Sequence, residues 1–83
     1  MKVNLVGLRV LDFEDDAGKP IQGIKLNFAF PDEGVYGNAI DSRFINQNVF
    51  DSFGVDLEKL IKKIGEVIEI EINPKNKIVG IKI

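Results

Sequence analysis

Asp56-Leu57-Glu58-Lys59-Leu60-Ile61-Lys62-Lys63-Ile64-Gly65 is the one stretch of this 83-residue chain with a helical period. Leu57, Leu60, Ile61 and Ile64 recur at i, i+3, i+4 and i+7. Asp56 stands where a capping acceptor belongs, Lys62 and Lys63 fall in the last turn, and Gly65 follows as a stop. The pattern predicts one short helix of about two turns. Its apolar stripe is expected to face the interior. Everything on either side of it reads as strand and turn, so the place of this helix in the element order decides the fold.

Immediately before it, Asn46 to Gly54 is irregular. Earlier still, Ile24, Leu26, Phe28 and Phe30 alternate with Lys25, Asn27 and Ala29, the period of two that marks a strand. Pro31-Asp32-Glu33-Gly34 breaks that strand. A third runs from Val35 to Ile45, with Tyr36, Ile40 and Phe44 of one parity and Asp41 and Arg43 of the other. The opening run, Val3 to Phe13, changes phase. Val3 and Leu5 share one register, whereas Leu8 and Val10 reach the same side only after a shift near Gly7, as a β-bulge would supply. Asp15 to Pro20 is a polar hairpin loop with Gly18 free to take a positive φ. After the helix, Ile68, Ile70 and Ile72 alternate with Glu69 and Glu71. Asn73-Pro74-Lys75-Asn76-Lys77 turns the chain, and Val79, Ile81 and Ile83 return.

The order is therefore strand, strand, strand, helix, strand, strand. It predicts a mainly β domain spanning residues 1–83, a five-stranded OB-fold-like Greek-key barrel with one short helix between strands 3 and 4. A bend at Gly7 would let strand 1 serve both halves of the barrel. A ferredoxin-like sandwich wants two crossover helices, and an SH3-like barrel lacks this one.

Composition narrows the chemistry. The chain has no cysteine, histidine or tryptophan. Disulfides, thiolate zinc sites and imidazole acid–base catalysis are thereby excluded. Eleven Lys plus Arg against 13 Asp plus Glu give a net charge of -2 and a pI of about 5.0, so any nucleic-acid partner needs a local patch. Met1 to Val10 holds no uninterrupted apolar stretch of signal-peptide or membrane-span length, which predicts a cytoplasmic protein without membrane association.

In length, strand order and lack of Cys and Trp the chain resembles the small OB-fold single-stranded-DNA-binding proteins of phages, plasmids and conjugative elements, the filamentous-phage binders among them. The segments that carry the likeness are Val10 to Phe13 through Gly18 to Gly23, then Val35-Tyr36-Gly37, then Ile72 to Ile78. The resemblance implies a non-enzymatic protein that coats single-stranded DNA, or RNA, during replication or transfer of a mobile element, as a homodimer and without catalytic residues, metal or cofactor.

An OB barrel binds on the face of strands 2 and 3, flanked by the loops joining strands 1 to 2 and 4 to 5. That rule selects Arg9 on strand 1, Lys25 and Asn27 on strand 2, Arg43 on strand 3, Lys19 in one loop, and Lys75 and Lys77 in the other. The same lysines also serve as solubilising tips and edge guards. For stacking on bases the expected ring is Tyr36, with Phe13 second, while Phe28, Phe30 and Phe44 are read as core. Phe50 and Phe53 would anchor the irregular segment or form an association patch.

The acidic run Asp12, Glu14, Asp15, Asp16 does not fit a calcium loop, since position 6 counted from Asp12 is Ala17 and position 12 is Gly23. No glycine-rich phosphate loop is present. An alternative reading is a protein-interaction module, docking a replication or regulatory partner through this acidic loop and an exposed strand edge.

Overall fold

The computed structural model describes residues 1–83. Five strands form one antiparallel sheet: β1 (Lys2–Glu14), β2 (Pro20–Pro31), β3 (Asn38–Asn46), β4 (Val67–Ile72) and β5 (Ile78–Lys82). Two short helices, α1 (Gln47–Ser52) and α2 (Leu57–Ile61), lie between β3 and β4. The strand order is β3-β2-β1-β4-β5. None of these helices is long and apolar enough to cross a membrane.

β1 sits at the centre and does two jobs. Its first part pairs with β4 through Lys2↔Glu69, Val3↔Ile68 and Asn4↔Val67, while β2 runs along it from Asn4 to Glu14. The register slips between Leu5 and Gly7, so Val6 is the extra residue and stands 52% exposed. A bulge there flips the side-chain alternation, and Leu5 before it and Leu8 after it both turn to the core. The register shift expected near Gly7 is thus present, with Val6 rather than Gly7 as the extra residue. Val10 keeps the inward parity but lies beyond the core's reach, and it is 56% exposed.

The core is a 12-residue apolar cluster assembled from both ends of the chain. Val3 and Leu5 of β1, Ile24, Leu26 and Phe28 of β2 and Ile45 of β3 meet Ile68, Ile70, Ile78 and Ile81 of the last hairpin, with Phe50 and Leu60 from the helices. Each of these is less than 10% exposed, and no buried polar side-chain atom is left without a partner.

Several expectations need correction. The edges β3 and β5 share no backbone ladder, so the sheet is not closed into a barrel by hydrogen bonds. A side chain spans the gap instead: Arg43 Nε donates to Asn76 O at 2.9 Å. There are two helices rather than one. The unforeseen helix, α1, starts at Asn46, whose side chain accepts from Asn48 N, and Gln47 Nε2 donates to Asp51 Oδ1 one turn on. It buries Phe50, against which Phe53 packs edge to face. α2 is capped by Asp56 as expected, yet only Leu60 of its stripe is fully buried. Ile61 and Ile64 are 44% and 42% exposed, because the helix stops at Ile61 and the chain turns away.

β3 begins at Asn38 rather than Val35, leaving Tyr36 in the loop. Its core residue is Ile45, opposite Ile24. Phe44 and Ile40 face outward, opposite Lys25 and Ala29. In the last hairpin the register slips between Glu71 and Ile72, which turns Ile78 and Ile81 inward and leaves Val79 exposed, while Ile83 is exposed past the end of β5.

Candidate nucleic-acid interface

Directly opposed residues on antiparallel strands project to the same face, so the ladders fix what the outer surface of β1, β2 and β3 presents. Its central row is Arg9, Lys25 and Phe44, one residue from each strand. Beside it lies Gly7, Asn27 and Ser42 on one side, and Leu11, Gly23 and Asn46 on the other. Phe13 opposite Ile21 extends the face toward the hairpin tip, and Ala29 opposite Ile40 extends it the other way. From Asn4 to Phe13 on β1, and across all of β2 and β3, this face carries no carboxylate.

Arg9 and Lys25 stand opposite each other, an arrangement that costs stability through like-charge repulsion. Neither has an ion-pair partner, since the two salt bridges of the molecule are Arg43 with Asp41 and Lys82 with Glu71. An anion placed over the pair would relieve the repulsion.

Phe44 is the aromatic of this row, and its seat is built by Gly23. A Cβ at residue 23 would lie 2.5 and 2.6 Å from ring atoms of Phe44 and would collide with Ile45 O, so only glycine lets the ring settle across β2. One part of the ring remains in solvent, with the residue 43% exposed. Next to it, Phe44, Ile45, Asn46, Val49, Lys77 and Ile78 enclose an open groove of about 300 Å³ between β3, α1 and the start of β5. Lys77, from the β4–β5 turn, and Phe44 thus line one groove. Asn73 organises that turn by accepting from Lys75 N at 3.0 Å and Lys77 N at 2.9 Å, while Asn76 takes φ 62°.

Comparison with protein-family models, with curated proteins and with solved structures finds no match. The site stands on its geometry alone.

Of the residues selected from sequence, the structure brings Arg9, Lys25 and Asn27 together, with Lys77 in the groove beside Phe44; Lys75 stands in the same turn as Lys77. It separates the others. Lys19 is at the far tip of the β1–β2 hairpin, where Asp15 Oδ1 accepts from Ala17 N and Lys19 N. Tyr36 is fully exposed in the β2–β3 loop, beyond Pro31, which itself stands six strand residues, or about 20 Å, from Lys25. Arg43 does not face outward as expected. It lies opposite Leu26, on the other face from Lys25, and its guanidinium is committed to Asn76 O, Ser42 O and Asp41 Oδ1, the last at 2.6 Å. That hydrogen bond, with a second from Ser42 N, holds the Asp41 carboxyl below its ordinary range.

Phe44, like Arg43, was placed on the wrong face by sequence reasoning. The available signal was Gly23, a glycine inside a strand pattern, which marks a close approach by something bulky.

Proposed function

We propose that this chain is a non-enzymatic binder of single-stranded nucleic acid, built on an OB-type half-open barrel and gripping the strand across the outer face of β1, β2 and β3. The observation that carries it is the row Arg9, Lys25, Phe44 on a carboxylate-free face: two unpaired cations for phosphates beside an aromatic ring for a base. Sequence-tolerant binding of single strands needs that combination. The OB reading draws support from a bent first strand shared between β2 and β4, and from the approach of β3 to the β4–β5 turn through Arg43. In that architecture the β4–β5 turn flanks the binding face, which is where Lys75 and Lys77 stand. The net charge of -2 does not oppose the proposal, because the acids lie off this face, in the β1–β2 and β2–β3 loops, in and beside the two helices, on β4 and on the other side of β3. DNA during replication or transfer of a mobile element is the natural substrate under the likeness drawn from sequence, and RNA offers the same phosphates and bases.

Fluorescence anisotropy of labelled oligothymidylate at several salt concentrations tests the reading. Binding should weaken linearly in log salt, and Lys25→Ala should reduce the slope by about 0.7. Phe44→Leu keeps an apolar cover over Gly23 but removes the stacking surface, and should weaken binding by about 5-fold to 100-fold with the slope unchanged. Absence of binding at high micromolar protein in low salt would overturn the proposal.

A further inference from the structure

Beyond the bulge, β1 parts from β4. Their ladder covers Lys2–Asn4, and its last link is Leu5, whose N–H donates to Glu66 O and whose carbonyl accepts from Gly65 N. From Gly7 to Glu14 the ladders give β1 a partner on the β2 side alone. Natural sheets guard such an edge with proline, a dense run of charge or short length. Gly7-Leu8-Arg9-Val10-Leu11-Asp12-Phe13 has no proline, has one charge of each sign, and leaves Val10 and Phe13 56% and 49% exposed.

We propose that this edge pairs antiparallel with the same edge of a second copy, about a two-fold axis at Val10. The axis stands perpendicular to the sheet, so opposed residues share a face and the axis passes midway between the two copies of one residue. Placing it at Arg9 or at Asp12 sets like charges against each other. At Leu11 it sets Val10 against Asp12 and Leu8 against Glu14, two apolar side chains facing carboxylates. At Val10 it sets that valine against its own copy, with Arg9 against Leu11 and Leu8 against Asp12 as the mixed pairs, only one of which puts a carboxylate against an apolar side chain.

The Val10 register also sets Phe13 against Gly7. Nothing lies within 4 Å of where a Gly7 Cβ would be, so a ring can settle there as Phe44 settles over Gly23. The chain already uses this glycine–aromatic fit once, in β2 and β3. Pairing in this way continues the outer face without a break, and both Arg9–Lys25 rows end on one side of the joined sheet. It does not depend on the proposed nucleic-acid binding and is read without any ligand.

Because the chain has no cysteine, one introduced thiol is the only one present. Opposed residues of an antiparallel pair have Cα atoms about 4.5–5.5 Å apart, within disulfide range. Oxidised Val10→Cys should give a disulfide-linked dimer in high yield, with Leu11→Cys and Val79→Cys, the latter on the exposed β5 edge, giving little. Sedimentation equilibrium of the unmodified protein should show the mass rising from 9.3 kDa toward twice that value with concentration. Val10→Lys, which puts two ammonium groups on the axis at an exposed position, should weaken the dimer at least tenfold and leave the circular dichroism spectrum unchanged. A wild-type mass of 9.3 kDa up to high micromolar protein, or a cross-linking yield at Leu11 or Val79 equal to that at Val10, would overturn the proposal.

Discussion

Gly23→Ala should be among the most damaging small substitutions in this molecule. The added methyl carbon would lie 2.5 Å from the Phe44 ring and on top of Ile45 O, whereas ordinary contact begins at 3.4 Å. The ring and the β3 backbone must each withdraw by about 1 Å. The ring can rotate. The carbonyl cannot move without disturbing the β2–β3 ladder, in which Ile24 faces Ile45 and Gly23 faces Asn46. Forcing an extra carbon into a tight contact costs about 1–3 kcal/mol. For a domain of this size about 2 kcal/mol lowers Tm by roughly 10 °C.

Thermal unfolding followed by far-ultraviolet circular dichroism in dilute protein measures it. Gly7→Ala is the comparison, since nothing lies within 4 Å of its added carbon and its φ is not positive. That variant should melt at the wild-type temperature or slightly above, through reduced freedom of the unfolded chain. Gly23→Ala combined with Phe44→Ala should not regain full stability, because the clash with Ile45 O persists. A fall of less than about 4 °C for Gly23→Ala would refute the steric account of the Phe44 seat.

Three further outcomes follow from the same structure. Leu60→Ala should lose about 2–5 kcal/mol in urea unfolding, because the side chain is fully buried, whereas Ile61→Ala, 44% exposed, should lose under about 1 kcal/mol. Arg43→Met removes the contact between β3 and the β4–β5 turn and should cost about 1 kcal/mol while leaving the salt slope of oligonucleotide binding unchanged, the reverse of Lys25→Ala. Asp41 has a depressed pKa in the folded state, so its contribution to stability is present above the ordinary carboxylate range and is lost as pH falls through its folded value. Asp41→Asn should therefore flatten the acid limb of a Tm–pH profile, and an unchanged limb would remove the Arg43 hydrogen bond as its cause.

How much of this was legible beforehand differs by element. β2 was readable because its apolar residues occupy one parity only: Ile24, Leu26 and Phe28 are all buried and Lys25 is exposed. The bulge in β1 was readable because Leu5 and Leu8 cannot share a face without one extra residue. β3 was not, because it carries apolar residues on both parities, Ile40 and Phe44 on one and Ala39 and Ile45 on the other. Only pairing with β2 decides between them. α1 was hidden by its brevity: six residues with a polar start give no period to count, and its evidence is the capping by Asn46. The binding face suffered accordingly. Lys25, Asn27 and Arg9 were found from strand parity, Arg43 was put on the wrong side, and Phe44 was assigned to the core.

The short ladder between β1 and β4 has a consequence for how the molecule opens. The chain divides into a local meander, residues 2–46, and a local hairpin, residues 67–82, and beyond the shared apolar core only three ladder pairs join their backbones across a long sequence separation. Contacts of that kind form late and release first, since the loop closure they require must be met before they add stability. The hairpin should therefore detach as one cooperative unit at a free energy below that of global unfolding. In native-state hydrogen exchange, amides of β4 and β5 would share one protection level, and those in the centre of β2 a higher one.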